Sequence, residues 1–97
     1  MTSTESIRAF TRQVASEFLG DTNVLEVQVE AALDESGGAA LQILLVIPQF
    51  DPGLASKRAE IVLKVLEFLG DRDDPRFPYL HFATQAEMAA EEVASDD

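Results

Sequence analysis

A seven-residue apolar run, residues 41–47, constrains the fold of this chain more than any other segment. Only Gln42 interrupts it, so a strand built from this run is hydrophobic on both faces. Such a run is typical of a central strand that is covered on both sides. Its longest uninterrupted stretch, residues 43–47, is far too short to cross a bilayer, so the sequence predicts no membrane-spanning segment.

One amphipathic helix is predicted before this run and a second one after it. The first covers residues 4–19, with a stripe of apolar side chains spaced three or four apart, Ile7, Phe10, Val14 and Phe18. Thr2 and Glu5 fit a capping box at its start, and Gly20 fits a left-handed residue at its end. The second helix is expected to begin at Asp51 as N-cap, with Pro52 in the first helical position, and to end at Gly70.

Two further strands are expected to complete a sheet. Residues 24–33 alternate apolar and polar, as in a half-buried strand, and the glycine-bearing segment 34–39 reads as a hairpin loop. Residues 76–83 predict a third strand, in which Pro78 requires an edge or a strand start. Thr84 and Glu87 form a second capping-box pattern, which favours a short helix over residues 85–93.

The element order is therefore α-β-β-α-β(-α), and the predicted class is α+β. The simplest architecture is a two-layer α/β sandwich with a three-stranded mixed sheet and both helices on one face. Residues 1–93 are expected to form a single globular domain, because 97 residues suffice for one core. Residues 94–97 are expected to form a disordered acidic tail.

The charge balance limits the classes of partner. With 18 acidic and 7 basic side chains, the net charge is −11, which disfavours binding to nucleic acid or to anionic lipid. A basic protein would instead be attracted over long range. The sequence contains no cysteine, and its first residues lack the features of a signal peptide, so we expect a cytoplasmic protein.

The usual patterns of catalytic and metal-binding residues are missing from the sequence. Asp71, Asp73 and Asp74 fail the EF-hand pattern, because Pro75 and Arg76 occupy the positions that need a ligand and a glycine. We therefore interpret the loop 71–74 as solvated and partly neutralised by its arginines. The pair Gly37-Gly38 lacks the spacing of a phosphate-binding loop, and we predict no catalytic residue, no metal and no cofactor.

Surplus apolar surface is the strongest functional indication in the sequence. If alternate residues of the central strand face the helices, Leu44 and Val46 point to the opposite side of the sheet, where Glu26, Gln28 and Glu30 also lie. The third strand adds Phe77, Tyr79 and His81 as candidate contact residues. Three occupants remain open for this patch: the C-terminal segment, a second copy in a homodimer, or a different protein.

The sequence thus favours a non-enzymatic protein–protein interaction module, an adaptor or neutralising protein that acts through an open sheet face or an edge strand. The acidic surface favours a basic partner. The competing hypothesis is a small enzyme or ligand-binding domain with a site near His81 and the loop 71–74. His81 is the one side chain whose ordinary titration range lies near neutral pH, but no nucleophile accompanies it in the sequence.

Overall fold

A computed structural model describes the backbone of residues 2–94 and the side chains of residues 2–90. The predicted order of elements is confirmed, as is the α+β class. The elements are α1 (Thr4–Leu19), β1 (Glu26–Leu33), β2 (Ala39–Ile47), α2 (Leu54–Gly70), β3 (Phe77–Thr84) and α3 (Gln85–Ala94), with a short 3₁₀ turn at Asp21–Asn23. None of the helices in this described part is both long enough and apolar enough to cross a membrane.

The three strands form one mixed sheet in the order β1-β2-β3. β1 runs antiparallel to β2 through the hairpin, and β3 runs parallel to β2 after the crossover through α2. The apolar run of residues 41–47 therefore occupies the central strand, as its composition predicts. β3 is an edge strand, which is where Pro78 can be accommodated.

The first two helices pack on the same face of the sheet. α1 lies against β1, α2 lies against β3, and the two helices contact each other, with the rings of Phe10 and Phe68 stacked at 4.1 Å between centroids. The core between the layers includes Ile7 and Ile61 from the helices and Leu45 from the central strand, all at most 1% exposed. Packing two helices against one face of a sheet is enough to form the single core of a chain of this length.

The face of the sheet that points away from these helices departs from one expectation. The run in β2 predicts cover on both sides, but α1 and α2 cover one side only, and Leu44 on the other side is half-buried. Val46 on that side is nevertheless only 6% exposed. The apolar character of this run thus reflects its central position more than two equal layers of cover.

Some of the predicted helix ends are confirmed, and others are wrong. The capping box at α3 is confirmed, since the Glu87 amide donates to Thr84 Oγ1 at 3.1 Å and the Thr84 amide donates to Glu87 Oε1 at 2.9 Å. Gly20 follows α1 with φ of 94°, the conformation that favours glycine. The predicted box of Thr2 and Glu5 is wrong, because Ser3 caps α1 by accepting from the Ser6 amide.

The predicted start of α2 is also wrong, by two residues. Helical geometry begins at Leu54, and Gly53 occupies the N-cap position. The Asp51 carboxylate accepts from the Gly53 amide at 2.8 Å, so it stabilises the turn that leads into the helix. Of the predicted acidic tail, only Ala94 is described, as the last residue of α3, and residues 95–97 lie outside the described residues.

Candidate interaction surface

The strand register places the five candidate contact residues on one face of the sheet. Leu44 on β2 pairs with His81 on β3. Val46 lies two residues after Leu44, and Tyr79 and Phe77 lie two and four residues before His81. Since side chains two residues apart share a face, all five point away from α1 and α2. We call this side of the sheet the open face. Its strand residues are Glu26, Gln28, Glu30, Ala32, Ala40, Gln42, Leu44, Val46, Phe77, Tyr79, His81 and Ala83.

The aromatic residues of β3 supply most of the accessible apolar surface on the open face. Phe77 is 44% exposed and Tyr79 is 39% exposed, and their rings lie 4.9 Å apart in a tilted arrangement. Leu44 is half-buried beside them, whereas Val46 is buried and offers little surface to a partner. Exposed aromatic rings are enriched where proteins bind each other.

Carboxylates lie at the β1 side of this face. Glu26 and Glu30 are exposed on β1, and Gln28 is half-buried between them. The register aligns Glu30, Gln42 and Tyr79 across the three strands in one row. The seven basic side chains of the chain lie elsewhere in the sequence, in α1, in α2 and in the segment 71–76. The strand positions of the open face therefore carry acids but neither lysine nor arginine.

The hairpin loop contributes a further carboxylate that sequence analysis did not identify. Asp34 Oδ1 accepts from the Ser36 hydroxyl at 2.9 Å, the Ser36 amide at 3.0 Å and the Gly38 amide at 2.7 Å. These hydrogen bonds, led by that of the Ser36 hydroxyl, lower the pKa of Asp34, so it stays ionised. With Glu35, it lines a broad groove that also contacts Tyr79 and His81. The pattern Asp-x-Ser-Gly could have indicated this turn.

His81 sits in the middle of the open face rather than in a catalytic arrangement. Its side chain is exposed, and its row across the sheet contains Leu44 and Gln28, neither of which titrates. A histidine that acts as a general base is usually oriented by a second polar group within hydrogen-bond reach. His81 lines three shallow grooves, two on the open face and one along β3.

The loop 71–74 does not accompany His81. The interpretation of this loop as solvated is wrong for Asp74, whose side chain is fully buried in an ion pair with Arg76. Arg76 donates to both carboxylate oxygens, from Nε to Oδ1 at 2.9 Å and from Nη2 to Oδ2 at 2.7 Å. The Asp74 amide bonds to the Leu69 carbonyl at the end of α2. Asp74 thus bonds to the end of α2 and to the segment before α1, and none of the grooves that His81 lines contains a residue of this loop.

The same ion pair fixes the segment before α1. The Thr2 amide donates to Asp74 Oδ2 at 3.1 Å, and Arg76 Nη2 donates to the Thr2 carbonyl at 2.7 Å. The hydrogen bonds of Arg76 hold the pKa of the Asp74 carboxyl well below its usual range. Because these partners are more than 70 residues apart in sequence, no local pattern could have predicted the contact.

A further pocket, which contains no residue of the open face, is small. It has a volume of about 140 Å³ and is lined by residues from the ends of α1 and β2 and the start of α2, including Asp51 and Lys57. Sites for small molecules usually measure about 300–1,000 Å³, so this pocket does not fit a nucleotide-sized ligand. Among the described side chains, no group of three or more histidine or acidic residues could hold a metal ion.

Comparisons with known proteins do not assign this chain to a family. No protein-family model matches its sequence, and no curated protein matches it either.

Proposed function

We propose that this protein is a non-enzymatic interaction module whose open face binds a basic protein partner. One observation carries the proposal: exposed aromatic side chains of β3 share a sheet face with carboxylates and with no lysine or arginine at its strand positions. A neutralising or adaptor protein works by contact alone, and it needs no catalytic group.

The arrangement supplies both parts of a binding surface. Phe77 and Tyr79 can be buried by a partner, and truncating aromatic residues at interface centres often costs more than 2 kcal/mol, on the order of a 30-fold loss of affinity. Glu30 and Asp34 then lie toward the rim, where charges mainly affect the choice of partner and the association rate.

The competing hypothesis of a small enzyme or ligand-binding domain is supported by the groove of about 650 Å³ that His81 lines, but the row of His81 across the sheet holds only Leu44 and Gln28 beside it. None of the three grooves that His81 lines contains a residue of the loop 71–74, and Asp74 of that loop is already paired with Arg76. Thermal melting with divalent metals and nucleotides tests it directly, because a ligand that binds the folded state raises the melting temperature. A rise of several degrees with one of these ligands would contradict the contact-only function.

The test of the proposed function compares two exposed phenylalanines. Tagged protein is purified from its host at low salt, the stoichiometric companion is identified, and its affinity is measured for Phe77→Ala and Phe50→Ala. Phe50 is a matched control, since it is 58% exposed in the loop after β2, outside the open face.

We expect Phe77→Ala to weaken binding at least tenfold and Phe50→Ala to leave it nearly unchanged, as for residues inside and outside an interface. The proposal fails if no companion co-purifies, or if the two variants bind the companion equally well.

A further inference from the structure

We propose that a second copy of this chain docks along the outer edge of β3 and the adjacent side of α2. We call this surface the β3–α2 edge, and it comprises the free edge of Phe77–Thr84 together with Ala55, Ala59, Val62, Leu63 and Leu66. The inference goes beyond the proposed function, which uses the open face, although Phe77, Tyr79 and His81 lie both on that face and along this edge.

The first observation is that a groove runs along the free side of β3. In the described part of the chain, β3 pairs with β2 on one side and with no strand on the other. The groove is lined by Arg58 and Val62 of α2 and by all five consecutive residues 77–81. Because consecutive strand residues point to opposite faces, a groove that touches all of them follows the edge of the strand.

The second observation concerns charge. β3 contains no aspartate, glutamate, lysine or arginine, although the chain as a whole carries 18 acids. The other free edge, β1, exposes Glu26 and Glu30. Two identical molecules of net charge −11 repel each other, so they can approach best where neither presents a carboxylate. An edge strand without charged residues is also the kind that pairs most readily with another chain.

The third observation is that α2 continues this uncharged surface. Its residues 55, 59, 62 and 66 recur at helical spacing, and Val62 already lies at the groove beside β3. Leu63, next to this stripe, is 57% exposed, and Val62 and Leu66 are half-buried. Arg58 is the one charged side chain that lines the groove, one per copy.

In the proposed dimer, β3 pairs with β3 about a two-fold axis. If the strands run antiparallel about Tyr79, Phe77 of one copy lies opposite His81 of the second copy on the open face, and Pro78 lies opposite Leu80 on the helix side. Pro78 has no N–H, but alternate residues direct their N–H groups outward, so it removes at most one of about four outward donors. The two α2 helices then lie side by side over the new strand pair.

The test is the mass of the full chain in solution, measured by sedimentation equilibrium with matched leucine variants. We expect the wild type to show twice the chain mass of 10.6 kDa. Leu63→Lys places a charge in the β3–α2 edge, and we expect it to weaken dimerisation at least tenfold. Leu33→Lys is the control, since Leu33 is 73% exposed at the end of β1, and we expect it to leave dimerisation unchanged.

Amide hydrogen exchange on the wild type provides a measurement that does not depend on a variant's folding. Outward amides of β3 should exchange more slowly as protein concentration rises, whereas those of β1 should not change. A wild-type monomer across the micromolar range, equal effects of the two lysine variants, or concentration-dependent protection of β1 instead of β3 would each overturn the inference. Leu63 lies in the helix layer, so Leu63→Lys leaves the open face intact for the partner of the proposed function.

Discussion

Asp74 is the residue whose environment differs most from its sequence context. It follows two exposed acidic residues, Asp71 and Asp73, yet its side chain is fully buried against Arg76. The left-handed conformation of Asp73, with φ of 55°, accompanies this reversal of direction. A run of acidic residues in sequence can thus include one buried, ion-paired residue among exposed ones.

Replacing Asp74 tests this difference. We expect Asp74→Asn to lower the free energy of unfolding by about 3 kcal/mol, since it leaves the Arg76 guanidinium buried without its counter-charge. Asp71→Asn, at an exposed position of the same loop, should change it by less than about 0.5 kcal/mol. Urea denaturation at neutral pH measures both. Equal effects of the two substitutions would contradict the structural role of Asp74.

The lowered pKa of Asp74 also predicts a pH dependence. The folded state favours the carboxylate, so the unfolded state takes up a proton first as the pH falls. The stabilisation is complete above the ordinary pKa of about 4 and is lost progressively below it. The difference in unfolding free energy between wild type and Asp74→Asn should therefore shrink when urea denaturation is repeated at about pH 3. A constant difference between pH 7 and pH 3 would contradict this linkage.

The helices and strands follow from local sequence patterns, so they are the part of the fold that the sequence could predict. Local patterns located the helices and strands within about two residues, through apolar periodicity for α1 and β1, apolar runs for β2 and β3, and a capping box for α3. The start of α2 was misplaced because Asp51 stabilises a turn with the same kind of bond that caps a helix. The contact of Thr2 with Asp74 was not predictable, because it depends on the tertiary arrangement.

The candidate surface was predictable only in part. Alternation assigned Leu44 and Val46 to the face opposite the helices, but it could not show that Val46 is buried there. Alternation places Phe77, Tyr79 and His81 on one face of β3, but only its alignment with β2 shows that this is also the face of Leu44 and Val46. No local pattern sets a register between strands separated by a helix.

Two adjacent leucines in β2 test the assignment of the sheet faces. Leu45 is fully buried under the helices, whereas Leu44 is half-buried on the open face. We expect Leu45→Ala to cost about 3 kcal/mol of stability, because it leaves a cavity in the core. Leu44→Ala should cost about 1 kcal/mol, because solvent already reaches this side chain. Chemical denaturation compares them, and equal costs would show that both faces of β2 are buried alike.

The capping box at the start of α3 can be tested by substitution as well. Thr84→Ala removes the oxygen that accepts from the Glu87 amide, and we expect a loss of about 1 kcal/mol in the local stability of α3. Amide exchange at residues 87 and 88 measures this loss. Thr22→Ala, at an exposed position in the 3₁₀ turn, is the control and should leave that exchange unchanged. Unaltered exchange in Thr84→Ala would mean that this side chain does not hold the helix start.

The charge distribution of the whole molecule makes association sensitive to salt. With a net charge of −11 and no lysine or arginine at the strand positions of the open face, a cationic partner would be attracted before contact. Raising the salt concentration from about 10 mM to about 1 M shortens the screening length from about 30 Å to about 3 Å.

Stopped-flow association with the companion protein tests this expectation. The association rate should fall at least about tenfold over this range of salt, because electrostatic steering is a long-range effect. The dissociation rate should change less, because it depends on the buried aromatic contacts. An association rate that stays constant over the same range would exclude a basic partner at this surface.

The unequal charge of the two outer strands also sets a limit on assembly. If β3 pairs with β3, the contact uses the same surface on both molecules, and the outer strands of the resulting six-stranded sheet are both copies of β1. Each of these presents Glu26 and Glu30, so a third molecule would meet like charges at either end. In such a dimer, growth would stop at two subunits in a closed, symmetric particle, and the charges of β1 would oppose edge-to-edge polymerisation into fibres.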